Sequence, residues 1–142
     1  MVLKFRRENY IINGKRHYTR HREILDGKNI IGCISFVREN RKIYLMYVEI
    51  YNEYRGKGYG DKVIETLLNY KNVDCIIGEA LVGSRGFWHK MIRKYNGSRR
   101  NFTYFDNTSS AFTIPKNNIT NDEMYDIFDK WERNLYGGYV FR

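Results

Sequence analysis

One short stretch concentrates the residues that could do chemistry. "YRGKGYG" (54–60) packs an arginine, a lysine and three glycines between a strand-like run, "KIYLMYVEI" (42–50), and a helix-like run, "DKVIETLLNYK" (61–71). The N–H groups that open a helix have no intrahelical acceptor, and the helix dipole draws anions to them. Glycine lets those groups approach a phosphate without a Cβ in the way. Arg55 and Lys57 add positive charge. Strand, glycine-rich turn and helix are the order a phosphate cradle requires, the alternative being a plain solvated turn. The stretch is not a P-loop, because no GK[ST] closes it, and it lacks the G-x-G-x-x-G spacing of a dinucleotide fold. Just upstream, Glu49 is a carboxylate in an otherwise apolar strand, a setting that suits a proton acceptor. By simple alternation it shares a face with Leu45, Tyr47 and Tyr51. The competing reading is an ion-paired sheet edge. Glu79 in "VDCIIGEAL" (73–81) is a second candidate base. His17 and His21 fall on a polar run that could line a groove, and His89 reads as a solvated helix position.

Several elements must position these groups. "YII" (10–12), the turn "NGK" (13–15) and "RHYTRHREIL" (16–25) read as a short strand, a turn and an exposed strand. "DGKN" (26–29) is a strong turn. "IIGCISFV" (30–37) and "IYLMYVEI" (43–50) read as strands of an antiparallel meander. The period then changes. Tyr59, Val63, Ile64, Leu67 and Leu68 share a helical face, 73–81 is a buried strand, and Phe87, Trp88, Met91, Ile92 and Tyr95 form a second helical stripe. A parallel crossover joining 43–50 to 73–80 follows. "NFTYF" (101–105) and 109–114 read as late strands, with Pro115 closing the second. "TNDE" (120–123) reads as the capping box of a last helix carrying Met124, Ile127, Phe128, Trp131 and Leu135. The expected fold is α/β: a mixed sheet of six or seven strands with three helices.

The chain has 142 residues, a size that fits one domain over 1–142. Aromatics make up 16% of it, which argues for a packed core and against disorder. Cys33 and Cys75 sit in apolar runs and read as small buried hydrophobes. No His, Cys and Asp grouping suggests a metal. No apolar run nears the ~20 residues that cross a membrane, and no signal-peptide core opens the chain, so a cytoplasmic protein is expected. The formal charge of +9 fits an acidic protein face, an anionic cofactor or nucleic acid. "RRENYIINGKRHYTRHR" (6–22) and "RKYNGSRRNFTYF" (93–105) interleave cations with aromatics, as single-strand-binding surfaces do and as any solvated basic face does.

"RGKGYG" (55–60) resembles the R/Q-x-x-G-x-G/A signature of the GCN5-related N-acetyltransferase family, and the element order agrees over roughly 30–95. The resemblance implies acetyl-coenzyme A as acyl donor. Its pyrophosphate would lie on Arg55, Gly56, Lys57, Gly58, Tyr59 and Gly60, mainly on their backbone N–H groups. Its pantetheine arm would bond the backbone at Ile50 and Tyr51. Gly58 and Gly60 are where the family tolerates least bulk. The family's F-Y-E-K-like segment has a weaker counterpart in "GSRGFWHKMI" (83–92), where Trp88 takes the place of a tyrosine that often protonates the leaving thiolate. Indole cannot do this. The family's two N-terminal helices have no counterpart, because 12–29 is too short and polar. The helical N-terminal part is therefore reduced and the acceptor groove open. The implied activity is acetyl transfer to a primary amine, with Glu49 as base. An open groove and the positive charge favour a lysine or N-terminus on an acidic protein surface. The alternatives are an aminoglycoside or polyamine, which the acidic run 121–132 could collect, and a basic nucleic-acid-binding or regulatory protein without catalysis.

Overall fold

A computed structural model describes residues 2–80, 85–104 and 107–116, together with Glu123, Asp126 and Asp129. Seven strands form one sheet: β1 (Leu3–Ile12), β2 (Lys15–Asp26), β3 (Asn29–Glu39), β4 (Lys42–Ile50), β5 (Cys75–Ala80), β6 (Ser98–Tyr104) and β7 (Asn107–Pro115). Two α-helices accompany them, α1 (Tyr59–Leu68) and α2 (Arg85–Lys94), with a 3-10 turn at Asn52–Tyr54. The sheet order is β1-β2-β3-β4-β5-β7-β6. Among the described strands only β4 and β5 run parallel, the expected crossover through α1. Of the expected last helix, Glu123, Asp126 and Asp129 are helical and exposed. The capping box at Thr120 and the apolar positions 124, 127, 128, 131 and 135 lie outside the described residues.

The first strand is much longer than 10–12. Its ten residues include Lys4, Arg6, Arg7 and Glu8, and only Leu3 is buried. An edge strand solvated over most of its length shows no apolar alternation, so the sequence pattern hides it. The stretch 12–29, expected to be too short and polar for packed helices, is strand and turn. Among the described residues no helix precedes the turn at Asn52.

The main core cluster lies on one face of the sheet, and Cys75, Ile77, Ala111 and Thr113, at the alternating positions of β5 and β7, are buried as well. Ile34, Phe36, Ile43, Leu45, Ile76, Phe112 and Ile114 point into the main cluster from the strands. Val63, Ile64, Leu67 and Leu68 of α1 and Trp88 and Met91 of α2 close over them. Each such side chain contributes about 1.5–3 kcal/mol on burial. Trp88 stacks on Phe112 at 4.3 Å, so the indole belongs to the core.

Close approach sets Gly32 and Gly78, as it does Gly60 and Gly97. A Cβ on Gly32 would lie 2.0 Å from the Glu49 carbonyl oxygen, and one on Gly78 would lie 2.6 Å from the Phe112 ring. A ring can tilt; a backbone carbonyl in a ladder cannot. We expect Gly32→Ala to cost about 3 kcal/mol, the upper end for overpacking. A urea melt reads this as a lower midpoint, and an unchanged midpoint would contradict it.

Candidate functional site

The β3–β4 ladder contains a bulge. Ser35 pairs with Tyr47 but Phe36 pairs with Leu45, so Met46 is an extra residue. The extra residue reverses the strand's parity. Leu45 lies on the core side, and so do Val48 and Ile50. Tyr47, Glu49 and Tyr51 alternate with those two and belong to the opposite face. The expected face is therefore corrected: Glu49 groups with Tyr47 and Tyr51, but not with Leu45.

Beyond the bulge, β4 also leaves β5. Their pairing runs from Lys42↔Cys75 to Leu45↔Gly78 and stops, although β4 continues to Ile50 and β5 to Ala80. Among the described residues, this opens a cleft whose β4 wall is the backbone of 46–50. Glu79 stands at its start on β5, half-buried, and burial pushes its carboxyl up. It does not share a ladder position with Glu49, which pairs with Cys33 on β3.

At the mouth of the cleft, the chain bends through the 3-10 turn into the glycine loop. The Tyr51 N–H donates to the Ile31 carbonyl at 2.9 Å, tying the strand end to β3. Arg55 Nε donates to the Ile50 carbonyl at 2.7 Å. Part of the Arg55 side chain thus holds the strand end. Lys57 is exposed, with its ammonium 5.8 Å from the centre of the Tyr54 ring. Gly56 and Gly58 have φ of 76° and 84°, left-handed values that favour glycine. A Cβ at either would meet nothing within 4 Å, so the loop is open on that side. Gly58 caps α1, and the first bond of the helix runs from the Lys62 N–H to the Gly58 carbonyl at 3.2 Å. The N–H groups of Tyr59, Gly60 and Asp61 thus head the helix without i−4 partners.

Gly60 plays a different part. Its Cβ would lie 2.7 Å from the Phe87 ring, so this glycine lets α2 approach α1. Tyr59 donates its hydroxyl to Asp26 at 2.6 Å, pinning the helix start to the β2–β3 turn. Only its backbone faces the question of an anion. Asp61 would repel an anion if left bare, but Lys94 pairs with it and Tyr95 donates to it at 2.7 Å. Burial alone would push the Asp61 carboxyl up; the bonds from Lys94 and Tyr95 and the Lys94 charge outweigh it and hold it low. A lowered folded pKa contributes stability above the unfolded value, about 3.9, and loses it as pH falls. We therefore expect Asp61→Asn to cost about 0.5–1 kcal/mol at pH 7, allowing for solvent screening, and little at pH 2. Thermal melts across that range check the slope.

On the face opposite the core, Glu49 accepts a hydrogen bond from Tyr47. That bond, with lesser burial, pushes the Tyr47 phenol up to about 12. His21 meets Tyr47 edge to face at 6.3 Å. Cys33 is half-buried beside Glu49, so it is not the inert buried hydrophobe expected; Cys75 is. Burial, then the Glu49 and Glu8 carboxylates, push the Cys33 thiol up. Tyr51 is raised by burial first, then by Cys33, Glu49, Glu8 and Glu23. The carboxylates Glu8, Glu23 and Glu49 therefore surround one patch. Sequence reasoning missed Glu8, Glu23 and Cys33, because only the register across four strands brings them together. The other two histidines lie elsewhere: His17 stacks on Tyr10, and His89 contacts Arg99. A separate cavity of about 440 Å³, lined by Glu65, Leu68, Lys94, Tyr95 and Lys116 among others, sits near the C-terminal end of α1. Of the groups above, Lys94 and Tyr95, which hold Asp61, line it, and neither the glycine loop nor Glu49 does.

The sequence model of the acetyltransferase (GNAT) family matches residues 4–91. No curated protein matches the sequence significantly. Solved structures share the fold. A spermidine N-acetyltransferase chimera from Vibrio cholerae and hSSAT superposes with a TM-score of 0.56 at 13% identity, covering 82% of this chain and 96% of that one. Diaminobutyrate acetyltransferase from Paenibacillus lautus, in complex with its substrate and coenzyme A, gives 0.52 at 16%, covering 71% and 74%. A ribosomal-protein alanine N-acetyltransferase from Escherichia coli gives 0.54 at 10%, covering 72% of each chain. With the match spanning well over half of its length, the chain belongs to the GNAT acetyltransferase family, whose enzymes use acetyl-coenzyme A as acyl donor.

Proposed function

We propose that residues 1–142 form a single-domain N-acetyltransferase that moves an acetyl group from acetyl-coenzyme A to a primary amine. The observation that carries the reading is the junction of the β4–β5 cleft with the loop of left-handed glycines. Acetyl-coenzyme A supplies the activated acetyl group. The N–H groups of Gly56 to Gly60 hold its pyrophosphate, helped by Lys57 and the exposed part of Arg55. The backbone at Ile50 and Tyr51 bonds its arm. Gly60 serves this site through its backbone and through the helix packing it permits. Glu49, directly or through a water, takes the proton from the acceptor ammonium, and Tyr47 holds the carboxylate in place. No general acid is assigned, since Trp88 is in the core.

For the acceptor we retain a lysine or N-terminus of a protein, on the strength of the missing N-terminal helices and the net charge of +9. One observation favours a second reading, a small polyamine: Glu8 and Glu49 bring negative charge to the face around Tyr51, beside a Glu23 that Arg6 pairs. The solved polyamine and diamine acetyltransferases of this fold are in keeping with it.

Calorimetric titration with acetyl-coenzyme A tests the donor site. Saturable heat is expected; a folded protein with neither heat nor a shift in Tm refutes it. Incubation with acetyl-coenzyme A and either lysate or spermidine, followed by mass spectrometry, assigns the acceptor. Acetylated spermidine with no acetylated protein selects the second reading.

A further inference from the structure

The β1–β2 hairpin outruns the sheet. Pairing of β2 with β3 ends at His21↔Ser35, while pairing of β2 with β1 continues to Ile12↔Lys15. Residues 9–18 therefore form a two-stranded ribbon with no third strand beside it among the described residues, closed by Asn13 and Gly14 at φ of 51° and 77°. A ribbon this far from the core has no packing reason to carry apolar groups. Yet Ile11 is 64% exposed and Tyr10 47%. Tyr10 and His17, cross-strand partners, stack at 5.3 Å with 16° between their planes. Lys15 and Arg16 stand at the tip beside them.

The base of the ribbon is cationic as well. Arg7 and Arg22 face each other directly across the ladder, a like-charge pairing that costs stability. One nitrogen of Arg22 is buried without an acceptor, and its guanidinium lies over the Phe36 ring at 3.9 Å. Over residues 6–22 the sequence holds six Arg or Lys against one Glu. Arg6 is spent on Glu23; the rest keep the segment strongly positive.

We propose that this ribbon is a docking arm for single-stranded nucleic acid. Its cations follow the phosphates, and the exposed ring pair offers an unstacked base a platform. A second copy of the chain would set the same cations against each other. A duplex keeps its bases stacked and gives the ring pair nothing to receive. The tip residues Tyr10, Lys15, Arg16 and His17 are none of those placed at the glycine loop or around Glu49, so the arm adds a partner without using a residue of the transfer site.

Fluorescence anisotropy with a labelled 20-nucleotide single strand tests the assignment on the full chain. We expect saturable binding that weakens steeply with salt. The double substitution Lys15→Glu with Arg16→Glu should weaken it about 10-fold or more, and Tyr10→Ala about 5-fold or more. Both variants should bind acetyl-coenzyme A as the wild type does, which shows that they fold. No binding at low salt overturns the proposal, and so does binding that the ribbon variants leave unchanged. Equal affinity for a 20-base-pair duplex removes the single-strand assignment. A dimer in sedimentation that Tyr10→Ala dissolves gives the arm to a second copy instead.

Discussion

Gly58→Val should abolish measurable acetyl-coenzyme A binding while leaving a folded protein. Gly58 caps α1 at φ 84°, and a β-branched residue in that region is a true outlier. The strain is about 1–2 kcal/mol. The position is exposed and a Cβ meets nothing within 4 Å, so the core is not disturbed. The ligand loses more. The new side chain stands where an anion must approach the N–H groups, and hydrogen bonds to a charged group are worth about 1.5–3 kcal/mol each. Loss of two weakens binding by about 100-fold or more. Gly58→Asn separates the two effects, because asparagine accepts left-handed φ with less strain. It should bind almost as poorly as the valine variant and melt closer to the wild type. Wild-type affinity in Gly58→Asn would show that the cradle does not depend on a bare backbone here. Gly60→Ala should behave in the reverse manner. Its added methyl meets Phe87, so it lowers Tm.

Glu49→Gln should lower kcat by about 10²–10⁴-fold with acetyl-coenzyme A affinity unchanged, the range for loss of a general base. Glutamine keeps the shape and can still accept from Tyr47, so the strand pairing with Cys33 survives. It cannot take a proton from an ammonium. The deficit should therefore shrink as pH approaches the pKa of the acceptor ammonium, where more acceptor is already neutral. A kcat profile from pH 6 to pH 10 reads this directly. Equal kcat for variant and wild type at pH 7 would remove Glu49 from the role and turn attention to Glu79, at the start of the cleft. Tyr47→Phe should give a smaller loss, because it frees the carboxylate without neutralising it.

The parts of the site written in neighbouring residues were legible before any coordinates. The glycine loop, the strand before it and the helical stripe of Val63, Ile64, Leu67 and Leu68 are local patterns, and α1 begins where the pattern changes. The second stripe and the parallel crossover were legible for the same reason. Features that depend on distant partners were not. Alternation placed Glu49 with Leu45, and the Met46 bulge, set by pairing with Ser35 and Phe36, reverses this. At Gly60 the sequence showed a place in the loop but not the atom that excludes a side chain there, which belongs to Phe87, 27 positions on. Cys33 looked like core because its neighbours in sequence are apolar; Glu49 and Tyr51, from the adjacent β4 and the residue after it, lie beside it. Most of β1 escaped notice because water, and not the core, surrounds it.

The separation of β4 from β5 has a consequence for the protein before it meets any ligand. Edges normally occur at the rim of a sheet, where charged side chains such as Lys4 and Arg6 guard β1 against pairing with other molecules. Past Leu45 this sheet has, among its described strands, an edge in its middle, flanked by Met46, which is exposed, and by apolar Val48 and Ile50. No lysine or proline protects those positions. An extended peptide is the right shape to lie there, so the ligand-free enzyme carries an internal adhesive seam. Occupying the seam would do for solubility what blocking a rim does elsewhere. Purification and storage with the acyl donor present should then suppress aggregation by more than the mass-action gain in stability alone.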